Sequence, residues 1–123
     1  MEKVEFVQLM QRRTKDMALR VIRLFRSLPK TDEARIIGRQ LLRSATSVAA
    51  NYRAVCRARS QAEYFAKLSI VVEETDETLF WMELIVEADI VSTTKIQNLM
   101  TETTELLAIF STARKNTSAD KRK

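Results

Sequence analysis

The sequence predicts an all-α protein, an antiparallel up-down-up-down four-helix bundle. Three observations carry this expectation. The 123 residues include one Gly and one Pro, too few for the turns that a many-stranded sheet requires. Four segments repeat apolar residues with the period of an amphipathic helix. Short connections separate the segments, so consecutive helices should pack as antiparallel neighbours. The chain reads as one domain over residues 1–114, followed by a basic tail, 115–123, expected to be disordered because it lacks apolar side chains.

The first helix is expected from about Lys3 to Leu28. Stepping about 100° per residue gathers Val7, Met10, Met17, Ala18, Val21, Leu24, Phe25 and Leu28 on one face, with Arg12, Arg20, Arg23 and Arg26 on the other. Pro29 ends it, because the residue before a proline avoids helical backbone. Thr31 or Asp32 can cap the second helix, which should run to about Arg57. Its apolar face collects Ile37, Leu41, Leu42, Ala45, Val48, Ala49, Tyr52, Val55 and Cys56. Gly38 lies inside that pattern at a cost of about 1 kcal/mol against alanine, which a close helix–helix approach would explain.

Ser60-Gln61-Ala62-Glu63 reads as a capping box that opens the third helix, expected to end near Ala88. Tyr64, Phe65, Leu68, Val71, Val72, Thr75, Leu79, Met82 and Val86 line one side of it. Ile70, Trp81 and Ile85 project from a different side and are expected to form an oligomer interface. Trp81 could alternatively stack on a nucleobase. Ser92 or Thr93 caps the fourth helix, about Thr94 to Arg114, with its stripe at Ile96, Leu99, Met100, Thr103, Leu106, Leu107 and Phe110.

Charge is unevenly placed. Residues 1–60 hold 14 Lys/Arg against 5 Asp/Glu, a net of +9. Residues 61–110 hold 2 against 10, a net of −8, and residues 111–123 hold 5 against 1, a net of +4. The total of +5 therefore hides a polar molecule with one anion-attracting surface. Arg35, Arg39, Arg43, Arg53 and Arg57 of the second helix fall within about 80° of one another around its axis. Guanidinium forks suit phosphate oxygens, so this row is the candidate nucleic-acid-binding surface. No base-reading motif accompanies it, and binding should tolerate sequence. The row could instead be solvated, or paired with Glu73, Glu74, Asp76 and Glu77 of the third helix.

Catalytic chemistry finds little support. There is no His, which removes the usual general base and the commonest metal ligand. Serine nucleophiles lack a partner, a phosphate-cradling glycine loop is impossible, and a bundle di-iron site would need histidines. The carboxylates of the third helix share one surface and read as solvated or ion-paired. The one cysteine, Cys56, is expected to be a small apolar residue. Arg53, Arg57 and Arg59 nearby could lower its pKa, and that leaves a reactive thiol as the remaining enzymatic possibility. No catalytic residue, metal or cofactor is expected, nor is a membrane span or a secretory signal at Met1–Phe6, so the expected location is cytoplasmic.

The stretch Gln40-Leu41-Leu42-Arg43-Ser44-Ala45-Thr46-Ser47-Val48-Ala49-Ala50-Asn51 resembles the Q-L-x-R-A-x-x-S-V-x-x-N segment of the bacterial four-helix bundle proteins related to 23S rRNA intervening sequences. Ala58-Arg59-Ser60-Gln61-Ala62-Glu63-Tyr64-Phe65 resembles their R-R-S-x-x-E-F junction, Glu73 to Glu87 their acidic third helix, and Leu28-Pro29-Lys30 their break after the first. Many members have N-I-A-E-G where this chain has Asn51-Tyr52-Arg53-Ala54-Val55, and a proline where it has Ala49. It resembles an arginine-richer branch. The resemblance implies a homopentamer with no known enzymatic activity. A distant resemblance extends to the accessory protein of diversity-generating retroelements, a basic pentamer associated with nucleic acid and a reverse transcriptase. The expected function is a non-enzymatic, oligomeric accessory protein that binds RNA or DNA; the alternative is a protein-interaction scaffold.

Overall fold

A computed structural model describes the backbone of residues 1–121 and the side chains through Thr117. Four helices, α1 (Lys3–Ser27), α2 (Asp32–Val55), α3 (Gln61–Glu87) and α4 (Thr93–Lys121), pack as a four-helix bundle, with no strand among the described residues. Each packs on the next, α1 meets α4 more sparingly, and α1 faces α3 across a diagonal. Arg13 reaches Glu102 while Lys95 reaches Ser27, so α1 and α4 run antiparallel.

Local chemistry sets the helix ends. Leu28 leaves α1 with extended backbone ahead of Pro29. The Thr31 hydroxyl accepts the Ala34 N–H at 3.3 Å and the Ser60 hydroxyl accepts the Glu63 N–H at 3.0 Å, each satisfying a donor that a helix start leaves over. At the end of α3, Asp89 takes a left-handed conformation (φ 59°) while the Ile90 N–H donates to the Ile85 carbonyl, a closure in which aspartate stands where glycine is preferred.

The core runs the length of the bundle through Met10, Met17, Val21, Leu41, Val48, Leu68, Val71, Met82, Leu106 and Phe110. Hydroxyls inside it are satisfied locally: Thr14, Thr75, Thr78 and Thr103 each donate to the carbonyl four residues back. Among the described residues no buried side-chain polar atom lacks a partner, as native interiors require. A Cβ on Gly38 would lie 2.6 Å from Leu28 Cδ1 and 3.1 Å from Phe25 Cδ1. The glycine therefore admits the end of α1 against α2, the close approach its position in the pattern predicts.

Two expectations change. α4 continues past Arg114 to Lys121, so the segment 115–121, expected to be disordered, is helical; residues 122 and 123 lie outside the described residues. Thr117 is buried, with its hydroxyl satisfied within α4 by the Ala113 carbonyl at 2.9 Å, and a search for apolar side chains passes over that burial. Ile85 is fully buried in the core, not at an outer interface. Apolar residues cover most of the circumference of α3, and the inward side is turned further toward Thr78 and Ile85 than the Leu68–Leu79–Val86 pattern implies.

Candidate functional site

Of the five arginines, four lie on α2 and Arg57 lies in the turn past its end at Val55, two residues short of the expected end, and they do not share one environment. Arg43 turns to α3, where its guanidinium meets Glu77 and, at 3.4 Å, Glu74. Glu77 also accepts the Trp81 indole N–H at 3.0 Å. These carboxylates raise the pKa of the Arg43 guanidinium, with the Glu77 hydrogen bond the largest cause. Arg43 thus belongs to an Arg43–Glu77–Trp81 network, and Trp81 is half-buried beside the exposed Phe80, its ring 4.9 Å away edge-on. Arg35 pairs within its own first turn, at 2.9 Å from Asp32.

Arg39, Arg53 and Arg57 are exposed and take no ion pair among the described residues. Arg35 and Arg53 stand eighteen residues apart, as do Arg39 and Arg57. Eighteen residues make five helical turns, so Arg35 and Arg53 face the same way about 27 Å apart; Arg39 stands one turn beyond the first, and Arg57, in the turn past the end of α2 at Val55, follows the second, which makes two pairs. Each pair edges a cleft between α1 and α2. The first, about 690 Å³, lies mid-bundle: Ala18, Leu19, Ile22, Ala49 and Ala50 give it apolar walls, and Lys15, Arg53 and Arg57 bring the charge. The second, about 300 Å³, lies at the α1–α2 turn, where Phe25, Leu28 and Pro29 meet Arg26, Lys30, Arg35 and Arg39. Lys15, Arg26 and Lys30 also lack an ion pair among the described residues. Arg26 belongs to the arginine face that the sequence gives α1, whereas Lys15, and Lys30 in the turn after α1, join the α2 arginines only once the two helices pack, because a helical wheel treats each helix alone.

The opposite charge gathers on α3. Glu73, Asp76, Glu83 and Glu87 are exposed, unpaired among the described residues, and within about 80° of one another, with Phe80 (50% exposed) among them. Phe80 is not among Ile70, Trp81 and Ile85, the residues of this helix expected at an interface. Of those three, Ile70 alone is widely exposed, at 43%.

Cys56 is an exposed residue whose thiol is nonetheless desolvated. Burial pushes the thiol up, against smaller lowering from Gln11, Tyr52 and Arg57. Of the three arginines expected to lower it, Arg57 does so as the smallest of these causes. Among the described residues no cluster of three or more His, Cys, Asp or Glu is placed to hold a metal, and no helix is long and apolar enough to cross a membrane.

Comparison with known proteins agrees with this architecture. A crystal structure of a protein of unknown function from the S23 ribosomal protein family of Bacteroides thetaiotaomicron superposes with a TM-score of 0.80 at 26% identity, over 86% of this chain and 98% of that one. No curated protein matches. The sequence model of the 23S rRNA-intervening sequence proteins matches residues 8–112, which is nearly the whole bundle, and this chain belongs to that family.

Proposed function

We propose that this protein is a non-enzymatic, oligomeric accessory protein that binds the RNA or DNA backbone through the outer face of α1 and α2. One observation carries the reading: Lys15, Arg26, Lys30, Arg39, Arg53 and Arg57 cluster on that face without ion-pair partners among the described residues. Uncompensated cations are an electrostatic cost to a fold unless a polyanion neutralises them, and phosphates do so with release of counterions. Arg43 is left out of the surface because Glu74 and Glu77 already engage it. The homopentamer implied by the family resemblance would repeat the face five times and add avidity.

The test is the mass of the purified protein by light scattering at low and high salt, with and without a generic RNA. Uptake of RNA at low salt that is lost steeply as salt rises is the expected result. Binding that ignores salt, or no binding at low salt, removes the proposal. A second reading, a protein-interaction scaffold, draws on Phe80 and its unpaired carboxylates. An oligomer indifferent to RNA would favour it.

A further inference from the structure

The two clefts between α1 and α2 join apolar walls to cationic edges, and backbone binding alone gives the apolar walls no purpose. We infer that this face takes an unpaired nucleic-acid strand, with bases laid into the clefts and phosphates on the flanking cations; the inference rests on the nucleic-acid reading above and narrows its ligand. Leu19, 41% exposed, and Ile22 stand over the small side chains Ala49 and Ala50 in the larger cleft. Phe25 and Pro29 give the smaller one an aromatic and a flat aliphatic surface. Arg53 and Arg57 edge the first, and Arg35 and Arg39 edge the second.

A duplex keeps its base faces stacked inside and offers this surface two rails of phosphate. It would satisfy the arginines and leave the apolar walls against hydrated phosphate. An unpaired strand offers both chemistries in alternation. Its base faces can cover apolar and aromatic side chains without regard to sequence, and its phosphates stay outside at the cations. The clefts lie about 15–20 Å apart along the helix axes, so one short strand can engage both. Arginines at the cleft edges can also lie flat on a base.

The experiment compares three labelled probes of roughly 12 nucleotides, inside the range a single-strand site of this kind spans: a mixed-sequence DNA strand, its blunt duplex, and a strand of the same length made of abasic sites. The abasic strand keeps every phosphate and has no bases. Fluorescence anisotropy at low salt should give the base-bearing strand an affinity about tenfold above both other probes, since stacking of even one base is worth that much. Leu19→Asn, at an exposed position, should weaken the base-bearing strand several-fold and leave the abasic strand unchanged. Equal affinity for the base-bearing and abasic strands, or a preference for the duplex, overturns the inference while a steep salt dependence keeps the nucleic-acid reading. Absence of binding by all three probes overturns the inference, and removes the nucleic-acid reading as well when the generic RNA is not bound either.

Discussion

The α1–α2 face and the outer side of α3 carry opposite charge on a common plan, exposed ionic side chains around apolar ones. On α1–α2 the apolar residues line concave clefts and the cations edge them. On α3 the apolar residue, Phe80, stands out convex from a single helix with carboxylates on either side. A concave basic surface can enclose a ligand and desolvate it, whereas a convex acidic one must be received by something else. Charge alone does not distinguish a binding site from a solvated surface; curvature and the placement of apolar side chains do.

Helix α3 itself offers the largest contrast between inner and outer sides. Ile85 is fully buried and Ile70 is widely exposed. Ile85→Ala should cost about 2–5 kcal/mol of stability, through lost burial and the cavity left behind. Ile70→Ala should stay within about 0.5 kcal/mol, as surface changes do. Urea denaturation of both variants measures the difference directly. Equal effects would mean that α3 presents another side to the core.

Charge reversal next tests which surface binds nucleic acid. The triple change Arg39→Glu, Arg53→Glu and Arg57→Glu should lower affinity for a single strand about a hundredfold at low salt and flatten the salt dependence by roughly three in slope. Arg43→Glu should do less to binding, because its charge is already committed to Glu74 and Glu77. The matching reversal on α3, Glu73→Lys with Glu83→Lys, should leave binding unweakened. Anisotropy titrations across salt separate the three variants, and a loss on the α3 variant would undo the division between the faces.

Much of this was legible in the sequence, and the gaps have physical reasons. The helices, the Pro29 break, the Thr31 and Ser60 caps and the role of Gly38 follow from local chemistry that the chain states residue by residue. The inward side of α3 did not, because a helix with apolar residues most of the way round does not specify which side faces in. The end of α4 was not legible, because the residue buried there, Thr117, is polar and gives no apolar signal. The arginine row was visible as a row. Pairing with the acidic residues of α3 was legible as an alternative, and it holds for Arg43 with Glu74 and Glu77; which arginine pairs was not, since only packing sets the edge of the row nearest α3. The clefts needed two helices at once, which no single-helix pattern contains.

The smallest expected effect concerns the seam where α1 meets α4, the sparest pairing in the bundle. Arg13 forks onto Glu102 there, with Nε at 2.9 Å and Nη2 at 2.6 Å, and reaches Glu105 at 3.1 Å. The hydrogen bond from Arg13 holds the Glu102 carboxyl below its ordinary range. A carboxyl depressed in the folded state contributes stability that is full above its unfolded value, near 4.5, and is lost as pH falls through the folded value. Both side chains are about one-fifth exposed, so solvent reduces the contribution to about 1 kcal/mol. Glu102→Gln should therefore lower stability by that amount at pH 7 and match the unmodified protein once the pH is well below 4.5. Thermal melts at the two pH values give the comparison. A deficit that persists in acid would assign Glu102 a packing role in place of a charge-dependent one.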